Sequence, residues 1–315
     1  MSDQIPIATL TLNPAVDITY DLKQLVADCK CSSNASRYDP GGNGINVSRT
    51  LHKLGIIADT HYFVGQESGV MLQELLNPEV DNMHPVQITD RTRINCTVQQ
   101  RRPPEEYKLA GVGPAISQQE LDQIIEEFMH SAAGGLAVLT GSLPATARED
   151  EYAVITRKLM DGGAKIAVDI QPPLMPAVIE CKPWLVKMNH YEMEQLCGKS
   201  LPTIQALTEE ARNLQKMGIS VVCISLGADG GLLVNPKNSY FSLTPKVKRD
   251  CSNGAGDAML GGLLAGFVKS QSCEEALKLA VCCGSLTMAQ PGTQLVAVDE
   301  LDDAMASLEV KKLDI

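Results

Sequence analysis

The run Asn253-Gly254-Ala255-Gly256-Asp257 carries two glycines in three positions and opens an apolar segment from Ala258 to Val268. Glycines so placed let the backbone turn tightly and expose consecutive N–H groups. A helix that begins there adds its unpaired N–H donors and the positive end of its dipole, a setting that stabilises anions. Asp257 therefore puts a carboxylate where another anion would also fit. The combination suits a reaction in which a base removes a proton while a transferred phosphoryl group has its charge neutralised. An aspartate that merely caps a helix after a flexible turn has the same pattern, and the pentapeptide alone leaves both readings open.

The elements that must position this run follow an α/β rhythm, with short apolar runs alternating with longer segments of helical period. Strand-like runs are Ile7–Leu12, Thr60–Val64, Leu136–Thr140, Lys165–Asp169, Trp184–Met188, Val221–Leu226 and Gly231–Val234. Helical segments include Gly44–Lys53, Gln118–His130, Glu149–Asp161, Thr203–Met217, Gly256–Lys269 and Cys273–Ala289. Several strands end in polar or glycine-rich turns, and in parallel sheets ligands gather at that carboxyl edge. Two stretches, Asp17–Tyr38 and Val86–Leu109, alternate polar and apolar residues instead, and they read as antiparallel strands outside the main sheet. Without a Pro-, Gly- or Ser-rich linker or an internal repeat, residues 1–315 read as a single main domain with inserted β segments at about 17–38 and 86–109. Asp299–Ile315 reads as a surface helix and a short tail.

The chain of 315 residues is 44% hydrophobic with a net charge of −11, enough apolar material for a large core. The acidic balance argues against non-specific nucleic-acid binding and against an anionic membrane surface. Ten cysteines form no C-x-x-C pair and no zinc-type spacing with the five histidines, which reads as reduced thiols in a cytoplasmic protein. The N-terminus lacks the pattern of a signal peptide, and the apolar run 258–268 is too short to span a bilayer. Gly198-Lys199-Ser200 imitates the end of a P-loop, but Met193 occupies the position of its first glycine, so it reads as a helix end. Neither glycine run completes a dinucleotide fingerprint.

Several motifs in one order along the whole chain resemble the PfkB family of ribokinase-like carbohydrate kinases. Thr11-Leu12-Asn13-Pro14-Ala15-Val16-Asp17 is similar to the opening of the family's phosphosugar branch, the 1-phosphofructokinase, tagatose-6-phosphate kinase and 6-phosphofructokinase types. Pro40-Gly41-Gly42-Asn43-Gly44-Ile45-Asn46-Val47-Ser48-Arg49 resembles the first family signature, and Gly254-Ala255-Gly256-Asp257 the second. Thr140–Pro144, the N-x-x-E motif Asn189–Glu192 and the turn Ser225–Gly230 fit between them. The resemblance implies a three-layer αβα domain with a mainly parallel central sheet and a small β-lid formed by the two irregular stretches. It also implies that two chains pair through that lid.

The roles implied by the resemblance agree with the chemistry of the opening run. Asp257 would take the proton of the attacking hydroxyl, while the N–H groups of Gly254, Ala255 and Gly256 hold the charge on the phosphoryl group. Asp17, Gly41, Gly42, Asn43 and Asn46 would bind the sugar. Arg93 would grip its phosphate with a guanidinium fork, assisted by Lys30. Lys187, Asn189, Ser225, Gly227 and Gly230 would line the phosphate path of ATP, and Gly284 and Ser285 the adenine side. Glu192 and Asn189 would organise Mg²⁺ through water, although the same pair also reads as a helix cap. The expected activity is ATP-dependent phosphorylation of a ketohexose monophosphate to a bisphosphate, with fructose 1-phosphate ahead of fructose 6-phosphate and tagatose 6-phosphate. The alternatives are a kinase of an unphosphorylated sugar or nucleoside, or a catalytically silent sugar-binding regulator. Asn43 stands where many fructose-1-phosphate kinases have lysine, and Met188 replaces a common proline.

Overall fold

A computed structural model describes residues 5–247, 253–270 and 272–314. Its strands, in chain order, are β1 Ile7–Thr11, β2 Ala15–Leu22, β3 Ser33–Gly41, β4 Asp59–Val64, β5 Asn82–Gln87, β6 Arg93–Arg101 and β7 Pro104–Leu109. They continue as β8 Leu136–Gly141, β9 Lys165–Ile170, β10 Leu185–Asn189, β11 Val221–Ser225, β12 Gly231–Val234, β13 Ser239–Ser242 and β14 Val310–Leu313. A 10-stranded sheet has the order β14-β13-β12-β11-β10-β9-β8-β1-β4-β5. From β11 to β5 its neighbours are parallel, and β12, β13 and β14 close one side antiparallel. The chain builds outward in opposite directions from β1 and β8, so the order reverses between them. In open α/β sheets the ligand crevice lies outside the carboxyl ends at such a point.

Apolar runs buried on both faces make the central strands continuous rather than alternating, as the all-buried Ile7–Thr11 and Val221–Ile224 illustrate. One face packs on the helices Gln118–Ala132, Glu151–Asp161 and Ile204–Lys216. The other packs on Asn43–Lys53, Ala255–Ser270 and Cys273–Met288. The helix Ala255–Ser270 is the apolar run singled out above. It is buried from Asp257 to Gly266, the behaviour of a helix that is apolar all round and sits inside a core. Among the described residues no helix is long and apolar enough to cross a membrane.

A separate 4-stranded sheet has the order β3-β2-β6-β7. The sequence reading needs three corrections here. Val86 and Gln87 belong to β5 in the main sheet rather than to the irregular stretch. The pair β2–β6 is parallel, because β2 follows β1 and β6 follows β5, and both leave the same edge of the main sheet in the same direction. The tail beyond Asp299 holds a short helix, Leu301–Ser307, and then β14, whose two lysines conceal an edge strand paired with β13. The helix Gln66–Leu76 was not read from the sequence either; its partly buried face packs beneath the second sheet.

Two close approaches set the position of the buried helix. A Cβ on Gly261 would lie 2.7 Å from Thr50 Cβ, and one on Gly262 2.8 Å from Cys283 Sγ. Only glycine lets the helices Asn43–Lys53 and Cys273–Met288 come so near. Gly261→Val is expected to destabilise the protein by about 1–3 kcal/mol through overpacking, read as a lower urea midpoint with an unchanged slope.

Candidate active site

The carboxyl ends of β1, β8, β9, β10 and β11 lie side by side, with Thr140 paired to Asp169 and Asn189 to Ser225. Over this edge stands the first turn of the helix Ala255–Ser270, preceded by Gly254 at φ 76°. By helical geometry the N–H groups of Ala255, Gly256 and Asp257 have no acceptor within the helix and point toward the edge. Asp257 is buried, 6% exposed as a residue. Its Oδ1 accepts from Asn43 Nδ2 at 2.8 Å and its Oδ2 from Asn46 Nδ2 at 2.8 Å. Both amides come from the first turn of the helix Asn43–Lys53, the neighbour admitted by Gly261. Burial pushes the carboxyl up to about 6, with Asp169 adding to the shift and the two amides and Lys187 opposing it.

Lys187 lies buried beneath this turn, its Nζ 2.9 Å from where a Gly256 Cβ would stand. The Nζ donates to Asp169 Oδ2 at 2.6 Å. Burial opposes the lysine's charge, but Asp169, with Asp257 and Glu192 beyond it, holds the group above the ordinary lysine value. A fixed positive charge thus reinforces the dipole at the helix N-terminus.

Two cavities meet at this turn. The first, of about 250 Å³, is lined by Asp17, Gly42, Asn43, Asn46, Arg93, Asn95, Thr97, Gly254 and Asp257, among others. Its floor comes from the second sheet, where period-two alternation turns Asp17, Asn95 and Thr97 to one face. Asp17 Oδ1 accepts from Asn95 Nδ2 at 2.7 Å, and burial raises its carboxyl above the usual range. Gly41 lies against it; a Cβ there would meet Asp17 Oδ2 at 2.5 Å. Arg93 donates from Nη2 to the Asn13 carbonyl at 2.8 Å, while its Nε is buried with no partner. Burial pulls the guanidinium below its ordinary value, against the pull of Asp17. A desolvated cation with a donor to spare is a receptor for an anion.

The second cavity, of about 170 Å³, is lined by Asn189, Ser225, Gly227, Gly230, Thr244, Ala255, Gly256, Met259, Val281, Gly284, Ser285 and Met288. The polar turn residues stand at one end and the apolar Met259, Val281 and Met288 supply a wall for a flat ring. Gly230, at φ 109° and hard against the Ser242 carbonyl, admits no side chain. Asn189 and Glu192 form a reciprocal capping box, with Glu192 Oε2 accepting the Asn189 N–H at 2.7 Å and Asn189 Oδ1 accepting the Glu192 N–H at 2.9 Å. Burial and the Asp169 charge raise the Glu192 carboxyl, although the Asn189 N–H and Lys187 oppose them. Among the described residues no three His, Cys, Asp or Glu side chains converge as a protein-only metal cage.

Nearly all the residues singled out in the sequence therefore converge. Lys187 sits behind the second cavity rather than on its lining, and Lys30 is exposed on the loop between β2 and β3, outside both cavities. Asp169, Asn95 and Thr293 went unassigned in the sequence. The first carried a signal, a carboxylate at a strand's carboxyl end, whereas the others depend on register between distant strands and loops. Gly41→Ala is expected to displace Asp17 and weaken the ligand of the first cavity by about 10–100-fold while the fold survives, measurable by calorimetry or as KM.

The family model described as pfkB family carbohydrate kinase matches residues 10–300. The chain is 32% identical over 284 residues to the 1-phosphofructokinase of Bacillus subtilis, covering 89% of this chain and 92% of that one. It is 29% identical over 306 residues to the ATP-dependent 6-phosphofructokinase isozyme 2 of Escherichia coli, covering 96% and 99%. The crystal structure of the Escherichia coli phosphofructokinase-2 in complex with substrates and products superposes with a TM-score of 0.92 at 29% identity, covering 96% of this chain and 99% of that one. With its doubly covered parallel sheet and paired cavities, the chain belongs to the pfkB family of carbohydrate kinases.

Proposed function

We propose that the protein transfers the γ-phosphoryl group of ATP to a hydroxymethyl oxygen of a ketohexose monophosphate, fructose 1-phosphate first, or else fructose 6-phosphate or tagatose 6-phosphate. One observation carries this reading. A single helical turn faces both cavities, with Gly254 and Asp257 lining the one that holds Asp17 and Arg93, and Ala255 and Gly256 lining the other. A hydroxyl in the first cavity and a phosphoryl group in the second would meet at that turn. The hydroxyl gives its proton to Asp257 as its oxygen bonds to phosphorus and the bond to the ADP oxygen breaks. The N–H groups of Gly254, Ala255 and Gly256 hold the equatorial oxygens, with Lys187 behind them.

Arg93 supports an acceptor that already bears a phosphate, because it lines the same cavity as Asp257 and its half-buried guanidinium keeps a donor, Nε, without a partner. For Mg²⁺ the Glu192 carboxylate fits: an oxygen donor whose charge is disfavoured by burial gains from a hard cation. The Asn189 carbonyl oxygen is taken by the cap, so contact there runs through water. The cation would screen the phosphate charges of ATP. The second sheet exposes Tyr38, Ile94 and Tyr107, which supports its reading as a lid through which two chains pair.

Arg93→Ala is expected to raise KM for the sugar phosphate by about 10–100-fold while KM for ATP holds. An unchanged sugar KM in an ADP-release assay over a panel of sugar phosphates would remove the phosphosugar assignment. Asp257→Asn is expected to lower kcat by about 10²–10⁴ with ATP binding intact. The base works ionised and its carboxyl in the free protein is raised to about 6, so kcat/KM should be level above that pH and fall about tenfold per unit below it. A profile level to pH 5 would exclude Asp257 as the titrating base.

A further inference from the structure

We propose that Arg49 is a positioning residue that locks the side-chain amide of Asn46 with its nitrogen toward Asp257. Arg49 is a large, fully buried side chain, 1% exposed, three residues beyond Asn46 on the same helix. Its Nη1 donates to Asn46 Oδ1 at 3.0 Å, to the Pro40 carbonyl at 3.2 Å and to the Thr293 carbonyl at 3.1 Å. Its Nε is paired with Glu79 Oε2 at 3.2 Å, so the guanidinium is clamped from several sides.

The consequence follows from the chemistry of an amide, whose oxygen only accepts and whose nitrogen only donates. With Arg49 on Oδ1, the Nδ2 must face the opposite way, and there it meets Asp257 Oδ2 at 2.8 Å. The carboxylate asks for that orientation while it is ionised. Once it has taken a proton, its O–H would be served better by an amide oxygen, and a free amide would flip to offer one. That flip would stabilise the protonated base and slow its return. Arg49 forbids it, so Asn46 favours the ionised form throughout the cycle. Among the described residues no side chain donates to the oxygen of Asn43, the other amide on Asp257, so only Asn46 is guarded. Asp169 on β9, Lys187 on β10 and Glu192 beyond them are the other charged groups around the carboxylate. Arg49→Met also removes a cation, so a midpoint that rises in Arg49→Met and stays put in Arg49→Lys would assign the effect to charge and overturn the orientation lock.

This inference rests on Asp257 acting as the base, and its test is read first without substrate. In protein labelled with ¹³C-aspartate, the carboxyl resonance lost in Asp257→Asn is that of Asp257. Its midpoint is measured in the wild type, in Arg49→Met, which keeps bulk and removes the donors, and in Arg49→Lys, which keeps the charge with fewer directed donors. The midpoint is expected to rise by about one unit or more in Arg49→Met and by less in Arg49→Lys. The acid limb of kcat/KM for the sugar phosphate should move with it, and kcat/KM should recover at high pH with KM for ATP unchanged. Simple loss of packing would lower the active fraction equally at every pH and leave both midpoints in place. An unmoved carboxyl midpoint in folded Arg49→Met overturns the proposal; if that variant does not fold, an unmoved midpoint in Arg49→Lys does so. A shifted carboxyl midpoint in a protein that phosphorylates no sugar phosphate would uphold the role of Arg49 and reject the kinase reading.

Discussion

The structure turns on one buried carboxylate at the N-terminus of a buried helix, held by amides from a second helix far away in the chain. Asp257 is harboured there because the helix dipole and free N–H groups offset part of its desolvation, and Asn43 and Asn46 offset more. The rest stays as a raised proton affinity, which suits the role of base proposed for it. Everything that fixes the two helices relative to each other therefore tunes the chemistry. The Gly261–Thr50 approach sets their separation, and the shared apolar core beneath the sheet keeps it.

Around that carboxylate the site is arranged by charge. Lys187 and Asp169 form a buried pair whose ammonium faces the helix turn, and Arg93 stands across the first cavity with a desolvated guanidinium. A buried pair of this kind adds little net stability, since desolvation cancels much of the Coulomb gain. Its value is a fixed positive charge beneath the place where phosphoryl oxygens would lie, needing no reorganisation when charge moves. The Asn189–Glu192 cap shows that structural and chemical roles share residues. One carboxylate oxygen stabilises the start of a helix while the group's raised proton affinity suits it to a cation.

Much of this was legible in the chain before folding. The motifs around Gly41–Asn46 and Gly254–Asp257 come together beside the two cavities, because tight glycine turns at strand ends depend on only a few neighbouring residues. The strands and helices read as long apolar or periodic runs lie within two residues of their sequence positions, since such runs have one period and one place to be buried. Elements whose burial is contributed by partners were not legible. β5 and β14 carry polar or charged residues and become strands through pairing at an edge. Lys30 was placed with the sugar by analogy of position, but its loop leaves it exposed.

The division has a physical reason. Local chemistry, such as a glycine turn, a helix start or an acid among anion donors, is encoded in contiguous residues, and from it come the candidate base and the class of reaction. Relations between side chains far apart in sequence are not written in either segment. The amides of Asn43 and Asn46 on Asp257, Asn95 on Asp17, Asp169 on Lys187 and Arg49 on Thr293 exist only once strand register and helix packing bring their elements within hydrogen-bond reach. The proton affinity of Asp257, the shape of the two cavities and their meeting at one helical turn were decided there, because burial and distance are properties of the packed molecule.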